Sequence, residues 1–246
     1  MAQYSADAIF DHPKLAAIYD ALDPDRGDLG LYLDVVKQKQ AHKILDIGCG
    51  TGVFALLLAD QGYEVVGVDP AAESLKVAQN KSGADLVRWV HGDATGLPPL
   101  EMDMAVMTGN VAQAIVDPKA WRDTLEGIRR ALRLGGHLVF ETRNPAAQAW
   151  RDWNREVSHT IANIPGVGEA ENWVELVSVK LPLVTFRWTF IFVADGSVLT
   201  SDSTLRFRER FEIERDLAAH GFEVEGVRDA PDRPGREFVF IARRER

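Results

Sequence analysis

The sequence predicts an α/β protein, and three observations carry that expectation. Short apolar runs alternate with helical stretches between residues 42 and 144. A glycine-rich loop joins the first run to the first of those helices. An aspartate stands at or near the end of each of the first three runs. Alternation of this kind implies parallel strands joined by crossover helices on both faces of a sheet.

The elements follow in order. Residues 1–41 read as a polar helical cap, with Ile9, Phe10, Leu15, Ile18 and Tyr19 at loose helical spacing and Asp23-Pro24 and Gly27 as breaks. Residues 42–144 form the alternating core, with strands expected at Lys43–Ile47, Glu64–Val68, Leu86–Val90, Met104–Thr108 and His137–Thr142. Helices are expected at Val53–Gln61, Ala71–Lys81 and Pro118–Leu134. The last has Asp117 as a cap, Pro118 at its first position and Gly135-Gly136 as its stop. Residues 145–209 read as an antiparallel β insertion. Asp195-Gly196 between TFIFVA and SVLTS predicts a tight hairpin pairing Ala194 with Ser197, with Phe192 opposite Leu199, Trp188 opposite Ser203 and Phe186 opposite Leu205. Phe186, Trp188, Phe190 and Phe192 then share one face. Asn172–Leu181 reads as a further strand, and residues 210–246 as a helix, Arg210–His220, and two closing strands.

Composition narrows the class. The 246 residues are 46% hydrophobic and 26% charged, a globular balance rather than a disordered one. The net charge of −9 disfavours a nucleic-acid partner at long range. One cysteine permits no intrachain disulfide. The N-terminal MAQYSADAIFDHPK has no basic region before an apolar core, and the longest aliphatic stretch, Val53 to Ala59, is too short to span a bilayer. A cytoplasmic protein without a membrane partner is expected.

The sharpest motif is Ile44-Leu45-Asp46-Ile47-Gly48-Cys49-Gly50-Thr51-Gly52. Its glycines remove Cβ atoms where the chain turns and where a ligand approaches the backbone. A dinucleotide fingerprint would place its third glycine at position 53, which is Val53. Asp46, two residues before Gly48, is awkward beside a pyrophosphate and suited to a cation such as S-adenosylmethionine. Asp69 follows Gly52 by 17 residues, near the interval expected of a ribose-binding acid. Asp93 follows the third strand, where a carboxylate accepts from an exocyclic amine or simply closes a turn.

These segments resemble the class I S-adenosylmethionine-dependent methyltransferases of small-molecule type. LDIGCGTG looks like the family's first motif, VVGVDPA its second and HGDATGLPP its third. MDMAVMTGNVAQAI and LRLGGHLVFETR resemble the fourth strand with its loop and the following helix-turn-strand, with Leu134 where the family has proline. The resemblance implies a Rossmann-like, mostly parallel seven-stranded sheet in a single domain. It implies that Asp46, Gly48, Cys49, Gly50 and Gly52 hold the methionine part, Asp69 and Pro70 the ribose, Asp93 and Ala94 the adenine, with Asn110 and Val111 beneath the cofactor. Tyr19 resembles a tyrosine that closes over it.

Methyl transfer is an in-line displacement that alignment alone can promote, so no catalytic residue is assigned. His12, Tyr19, His137, His159 and Glu141 are the candidate bases. The loop after the fourth strand, Thr108-Gly109-Asn110-Val111, is not the Asn/Asp-Pro-Pro-aromatic motif of amino-methylating DNA and glutamine enzymes. No cysteine outside the glycine loop could serve as nucleophile, and no metal-ligand spacing occurs. Arg143, Trp188 and Arg206 are the candidate substrate residues, with Arg206, Arg208 and Arg210 expected on one strand face; an arginine would clamp a carboxylate. The expected function is methyl transfer to an O, N or C nucleophile of a small molecule. A cofactor-binding protein without turnover and an NAD-dependent oxidoreductase remain as alternatives.

Overall fold

The computed structural model describes residues 6–245. Met1–Ser5, which open the N-terminal leader reading, and Arg246, which ends the chain's last charged run, lie outside the described residues.

Four short helices come first: α1 (Ala8–Asp11), α2 (Pro13–Ala16), α3 (Tyr19–Leu22) and α4 (Leu29–Gln38). The alternating core follows as β1 (Lys43–Ile47), α5 (Val53–Asp60), β2 (Glu64–Asp69), α6 (Ala72–Gln79), β3 (Val87–His91), β4 (Met102–Met107), α7 (Val111–Ala114), α8 (Pro118–Ala131) and β5 (Leu132–Arg143). The insertion holds α9 (Arg155–Ser158), β6 (Thr160–Ile164), β7 (Gly168–Lys180), β8 (Leu183–Phe192) and β9 (Val198–Arg206). The chain returns to the core with α10 (Arg210–Ala219), β10 (Phe222–Asp229) and β11 (Glu237–Arg244).

The main sheet has seven strands in the order β10-β11-β5-β4-β1-β2-β3, parallel except for β11, which runs antiparallel to both neighbours. Its side chains alternate between two cores. Leu45, Met107 and Phe140 pack under α8 and α10 against Trp121, Leu125, Ile128 and Leu217. Ile44, Met104 and Val139 pack on the opposite face under α4 and α5 against Tyr32, Val36, Phe54 and Leu58. This period-two sorting fixes the strand register, because a one-residue slip would turn each strand's apolar set to the wrong face.

The second sheet, β6-β7-β8-β9, is antiparallel. Phe190 and Phe192 on its inner face pack with Ile9, Leu15 and Ile18 of the cap. The cap is also tied to both bodies by polar contacts. Ile9 N donates to Ser201 Oγ at 2.9 Å, and Lys14 Nζ reaches Asp195 at 2.7 Å and Ser197 Oγ at 2.6 Å. On the other side Ser74 Oγ donates to the Phe10 carbonyl at 2.7 Å.

Four expectations need correction. The β8–β9 hairpin is two residues out of the expected register: Phe190 lies opposite Leu199, Trp188 opposite Ser201 and Phe186 opposite Ser203. A two-residue turn of the expected type needs left-handed backbone at both central positions, and only Gly196 has it, at φ 66°. Asp195 instead accepts from Ser197 N at 3.0 Å, and a four-residue loop results. A two-residue shift conserves parity, so the four aromatic residues still share a face. The helix beginning at Pro118 ends at Ala131 and Leu132 opens β5. Gly135-Gly136 therefore lies inside a strand: a Cβ on Gly136 would come within 3.1 Å of the carbonyls of Arg133, Asp103 and Met102, so the pair permits a close crossing of backbones where β4 and β5 shift register. Arg206, Arg208 and Arg210 do not share a face, because β9 stops at Arg206 and α10 starts at Arg210. Finally, β6 was not foreseen; Thr160–Ile164 contains Asn163 and is bounded by no strong turn signal on its N-terminal side.

Candidate active site

Parallel strands in an open sheet place ligands at their carboxyl ends. Here that edge carries the glycine loop. Gly48, Gly50 and Gly52 all have left-handed backbone, at φ 69°, 53° and 80°. A Cβ on Gly48 would fall 2.5 Å from Val111 Cγ2, and one on Gly52 would fall 2.6 Å from the Trp89 ring, whereas the Cβ position of Gly50 meets nothing within 4 Å. The loop is thus clamped below by Val111 and Trp89 and open above Gly50, the shape of a cradle.

Asp69 locks that loop. Its Oδ2 accepts from Gly50 N and its Oδ1 from Ala71 N, both at 2.7 Å. Burial raises its pKa, opposed by those two backbone donors. Each carboxylate oxygen keeps a further lone pair for a pair of ribose hydroxyls. Asp46 differs. It is 1% exposed, and neither carboxylate oxygen has a hydrogen-bond partner among the described residues. Burial first, and then the neighbouring Asp69, push its pKa up to about 7, while Arg26 and, less strongly, the nearby Ala55 N–H act in the opposite direction. A buried carboxylate without a partner is costly unless a cation joins it. Cys49 is also buried, and burial with Asp46 and Asp69 raises its thiol well above the usual range, so it stays a neutral thiol.

The floor of the site is the loop after β4. Asn110 has left-handed backbone, φ 62°, and its N–H donates to Glu141 Oε1 at 3.0 Å while its Nδ2 donates to Glu237 at 3.2 Å. Tyr32 Oη donates to the other Glu141 oxygen at 2.9 Å. Asn110 Oδ1 is buried without a partner. At the far edge, Asp93 Oδ1 accepts from Thr95 N at 2.8 Å and is exposed, so the turn role of this residue is realised; Ala94 beside it is buried. Over the loop, Asp20 of α3 accepts from Thr51 Oγ1 and from Lys81 Nζ, each at 2.5 Å, and Tyr19 precedes it.

The structure therefore gathers Asp46, Gly48, Cys49, Gly50, Gly52, Asp69, Pro70, Asn110 and Val111 around one loop, with Tyr19 in the cap above. Among the candidate bases, His137 pairs with Glu225 and lies opposite Met104, toward the other end of the sheet. His159 pairs with Glu171 on the insertion, and His12 caps α2 through Nδ1. Glu141 is spent on Tyr32 and Asn110, and burial raises the Tyr19 pKa so that its phenol stays protonated. Of the substrate candidates, Trp188 is half-buried on the inner face of the second sheet, 6.0 Å from the Phe190 ring. Arg206 donates to the Val116 carbonyl at 3.4 Å, and Arg143 stands at the end of β5. Sequence reasoning named Asp20 only as the neighbour of Tyr19 in the closing segment, and missed Lys81, Trp89 and Glu237. Gly67 inside β2 was the available signal for Trp89, since a strand glycine marks close approach and a Cβ there would lie 2.9 Å from that ring.

An unpartnered acid beside an open glycine cradle, with a second acid to bind a diol, fits a ligand that is both cationic and a nucleoside. S-adenosylmethionine has both properties. Residues 44–136 match the family model for a methyltransferase domain. Over 131 residues the chain is 28% identical to the glycine N-methyltransferase of Mus musculus, covering 46% of this chain and 44% of that protein. It spans about half the length of the curated relatives it matches. The sugar N-methyltransferase KedS8 of a Streptoalloteichus species shares its fold, with a TM-score of 0.76 at 18% identity over 100% of this chain and 98% of that one. So does an amino pentose methyltransferase of calicheamicin biosynthesis from Micromonospora echinaspora, solved with S-adenosylmethionine bound, with a TM-score of 0.69 at 20% identity over 92% and 96% of the two chains. Residues 44–136 thus resemble a methyltransferase domain, and the fold of the chain is that of these solved methyltransferases. Among the described residues, no helix is long and apolar enough to cross a membrane.

Proposed function

We propose that this chain transfers a methyl group from S-adenosylmethionine to an O, N or C nucleophile on a small molecule. The observation that carries the reading is Asp46, a buried carboxylate with both oxygens unpaired at the mouth of the cradle. When bound, S-adenosylmethionine supplies a methyl carbon on a sulfonium leaving group. Asp46 balances its positive charge, Asp69 accepts from the ribose hydroxyls, and Asp93 with Ala94 edges the adenine. Glu141 fixes the Asn110 N–H, and through it Val111 beneath Gly48, so the floor is rigid before either ligand arrives. Asp20 holds the cap on Thr51 and Lys81, which keeps water from the reacting atoms. Glu141, His12, His137 and His159 are all engaged in other contacts, so an acceptor such as a neutral amine would attack through its lone pair and release its proton to solvent after transfer.

Binding of S-adenosylhomocysteine without binding of NAD, together with release of labelled methyl to a metabolite panel, is the expected result. Cofactor binding without methyl release from any member would reduce the reading to a binding protein. NAD binding alone would replace it with an oxidoreductase.

Asp46 also gives this reading a pH signature. Its proton stays on up to about pH 7, and a bound cation favours the ionised form. Affinity for S-adenosylmethionine should therefore fall as the pH drops below 7, by up to about tenfold per unit, and level off above it. Without ligand the sign is opposite: the raised pKa makes folding less favourable as the pH rises from the ordinary aspartate value of about 4 toward 7. Asp46→Asn should abolish the slope in calorimetric titrations; a variant with the slope intact would remove Asp46 from the contact.

A further inference from the structure

The arginines around the β5 edge are used unequally. Arg208 is 4% exposed and fully committed: Nη1 donates to the Ala112 carbonyl at 2.9 Å, Nη2 to Ile115 at 2.6 Å, and the guanidinium lies 4.5 Å from the Trp121 ring centroid. It holds the carbonyl end of α7. Arg26 is matched by Asp28, with Nε and Nη2 on its two oxygens. Arg143 has no such match. Its side chain is 21% exposed, and its guanidinium makes one hydrogen bond among the described residues, from Nη1 to the neutral Gln113 Oε1 at 3.1 Å. Its nearest carboxylate oxygen, Glu237 Oε1, is 3.7 Å away and already accepts from Arg233 Nη1 at 2.9 Å and Asn110 Nδ2 at 3.2 Å.

The place of this side chain adds to its chemistry. β5 runs three residues beyond Phe140, which pairs with Met107 at the end of β4, so Arg143 overhangs the loop that carries Asn110. Its guanidinium lies 5.7 Å from the Trp153 ring centroid, and that ring packs at 4.6 Å on Phe186 of the insertion's aromatic face. Tyr19 in the cap feels its charge. Arg143 thus lies where the floor loop, the cap and the second sheet approach one another. Burial lowers its pKa, as expected for a guanidinium removed from water with most of its five donors idle.

We propose that the methyl acceptor carries a carboxylate and that Arg143 binds it. This rests on the methyl-transfer reading and adds the acceptor's chemical class. A planar carboxylate matches the guanidinium fork with two parallel hydrogen bonds, satisfies the idle donors and leaves the cation stacked near Trp153. The nucleophilic atom at the other end of the acceptor is then directed toward Asn110 and the cofactor. Arg206 also makes one guanidinium hydrogen bond, to the Val116 carbonyl at 3.4 Å, but it is Arg143 that lies against Trp153 and beyond the end of β4.

The test titrates S-adenosylhomocysteine-loaded protein in a calorimeter with salicylate, anthranilate and a set of aliphatic amino acids, each against its primary amide. At least one acid should bind roughly 10- to 100-fold more tightly than its amide, the range for charge-assisted hydrogen bonds. Arg143→Gln should erase that preference, Arg143→Lys should restore part of it, and neither should change affinity for S-adenosylhomocysteine. Equal binding of every acid and its amide to the unaltered protein would overturn the proposal, as would an acid preference surviving in Arg143→Gln. The comparison on unaltered protein does not depend on a variant folding. If S-adenosylhomocysteine itself does not bind, the methyl-transfer reading has failed, and the inference fails with it.

Discussion

Asp69→Ala is expected to weaken binding of S-adenosylhomocysteine about 100-fold, equivalent to about 3 kcal/mol of lost charge-assisted hydrogen bonding. Two effects add. The ribose loses its acceptor, and the loop loses its lock, because Gly50 N and Ala71 N both donate to this side chain at 2.7 Å. The second effect separates Asp69 from a simple ligand contact: freeing the Gly50 N–H lets the cradle spread before any ligand is added. Calorimetry gives the affinity, and amide exchange at Gly50 in the ligand-free protein reports the loop. Unchanged affinity with faster exchange would leave Asp69 as a structural brace only.

The largest stability effect is expected at Gly127 in α8. A Cβ there would stand 2.2 Å from the Ala94 carbonyl oxygen and 2.7 Å from its carbon. These are main-chain atoms, so no rotamer change relieves the overlap. Gly127→Ala should cost about 3 kcal/mol by overpacking, lowering the melting temperature by roughly 6–12 °C in a chain of this size. The helix must move away from the turn holding Asp93 and Ala94, so affinity for S-adenosylhomocysteine should fall too. Gly30→Ala in α4 is the control. It is also helical, but its Cβ would meet nothing within 4 Å, and improved helix propensity should stabilise the protein by up to about 1 kcal/mol. Similar melting temperatures for the two variants would show that the α8 contact yields without cost.

The core could be read from its residues because one physical signal sufficed for each element. β1 was bounded correctly at Lys43–Ile47, where an apolar run meets a glycine that must turn. The ends of the other core strands moved by up to two residues, except for β5, which starts five residues early. There the glycine pair looked like a helix stop, and its real role depends on the β4 carbonyls that pass beneath it. The same limit explains the β8–β9 register. Asp195-Gly196 encodes a turn, but the Asp195 side chain accepts from Ser197 N and from Lys14, 181 residues away, and the loop takes four residues instead of two. In the candidate site, Asp46 and Asp69 could be placed together from the sequence because each stands at or beside the carboxyl end of a parallel strand. Glu237 was not, since a single acid opening an apolar strand looks like a solvated edge; its burial follows only from β11 lying between two strands. Arg143 and Arg206 look equivalent in sequence and each makes one guanidinium hydrogen bond; the nearby Trp153 ring and the overhang of β5 are what single out Arg143.

The position of β11 also bears on how the molecule is made. Glu237–Arg244 follows every other strand of this sheet in the chain, yet it occupies an interior place between β5 and β10. Until it pairs there, β5 has a bare edge of unpaired amides and carbonyls, the kind of edge that recruits other chains. Glu237, at its first position, also supplies the acceptor for Asn110 Nδ2 and Arg233. The floor loop is therefore completed only once β11 is in place, and chains truncated before residue 237 should be both inactive and prone to aggregate.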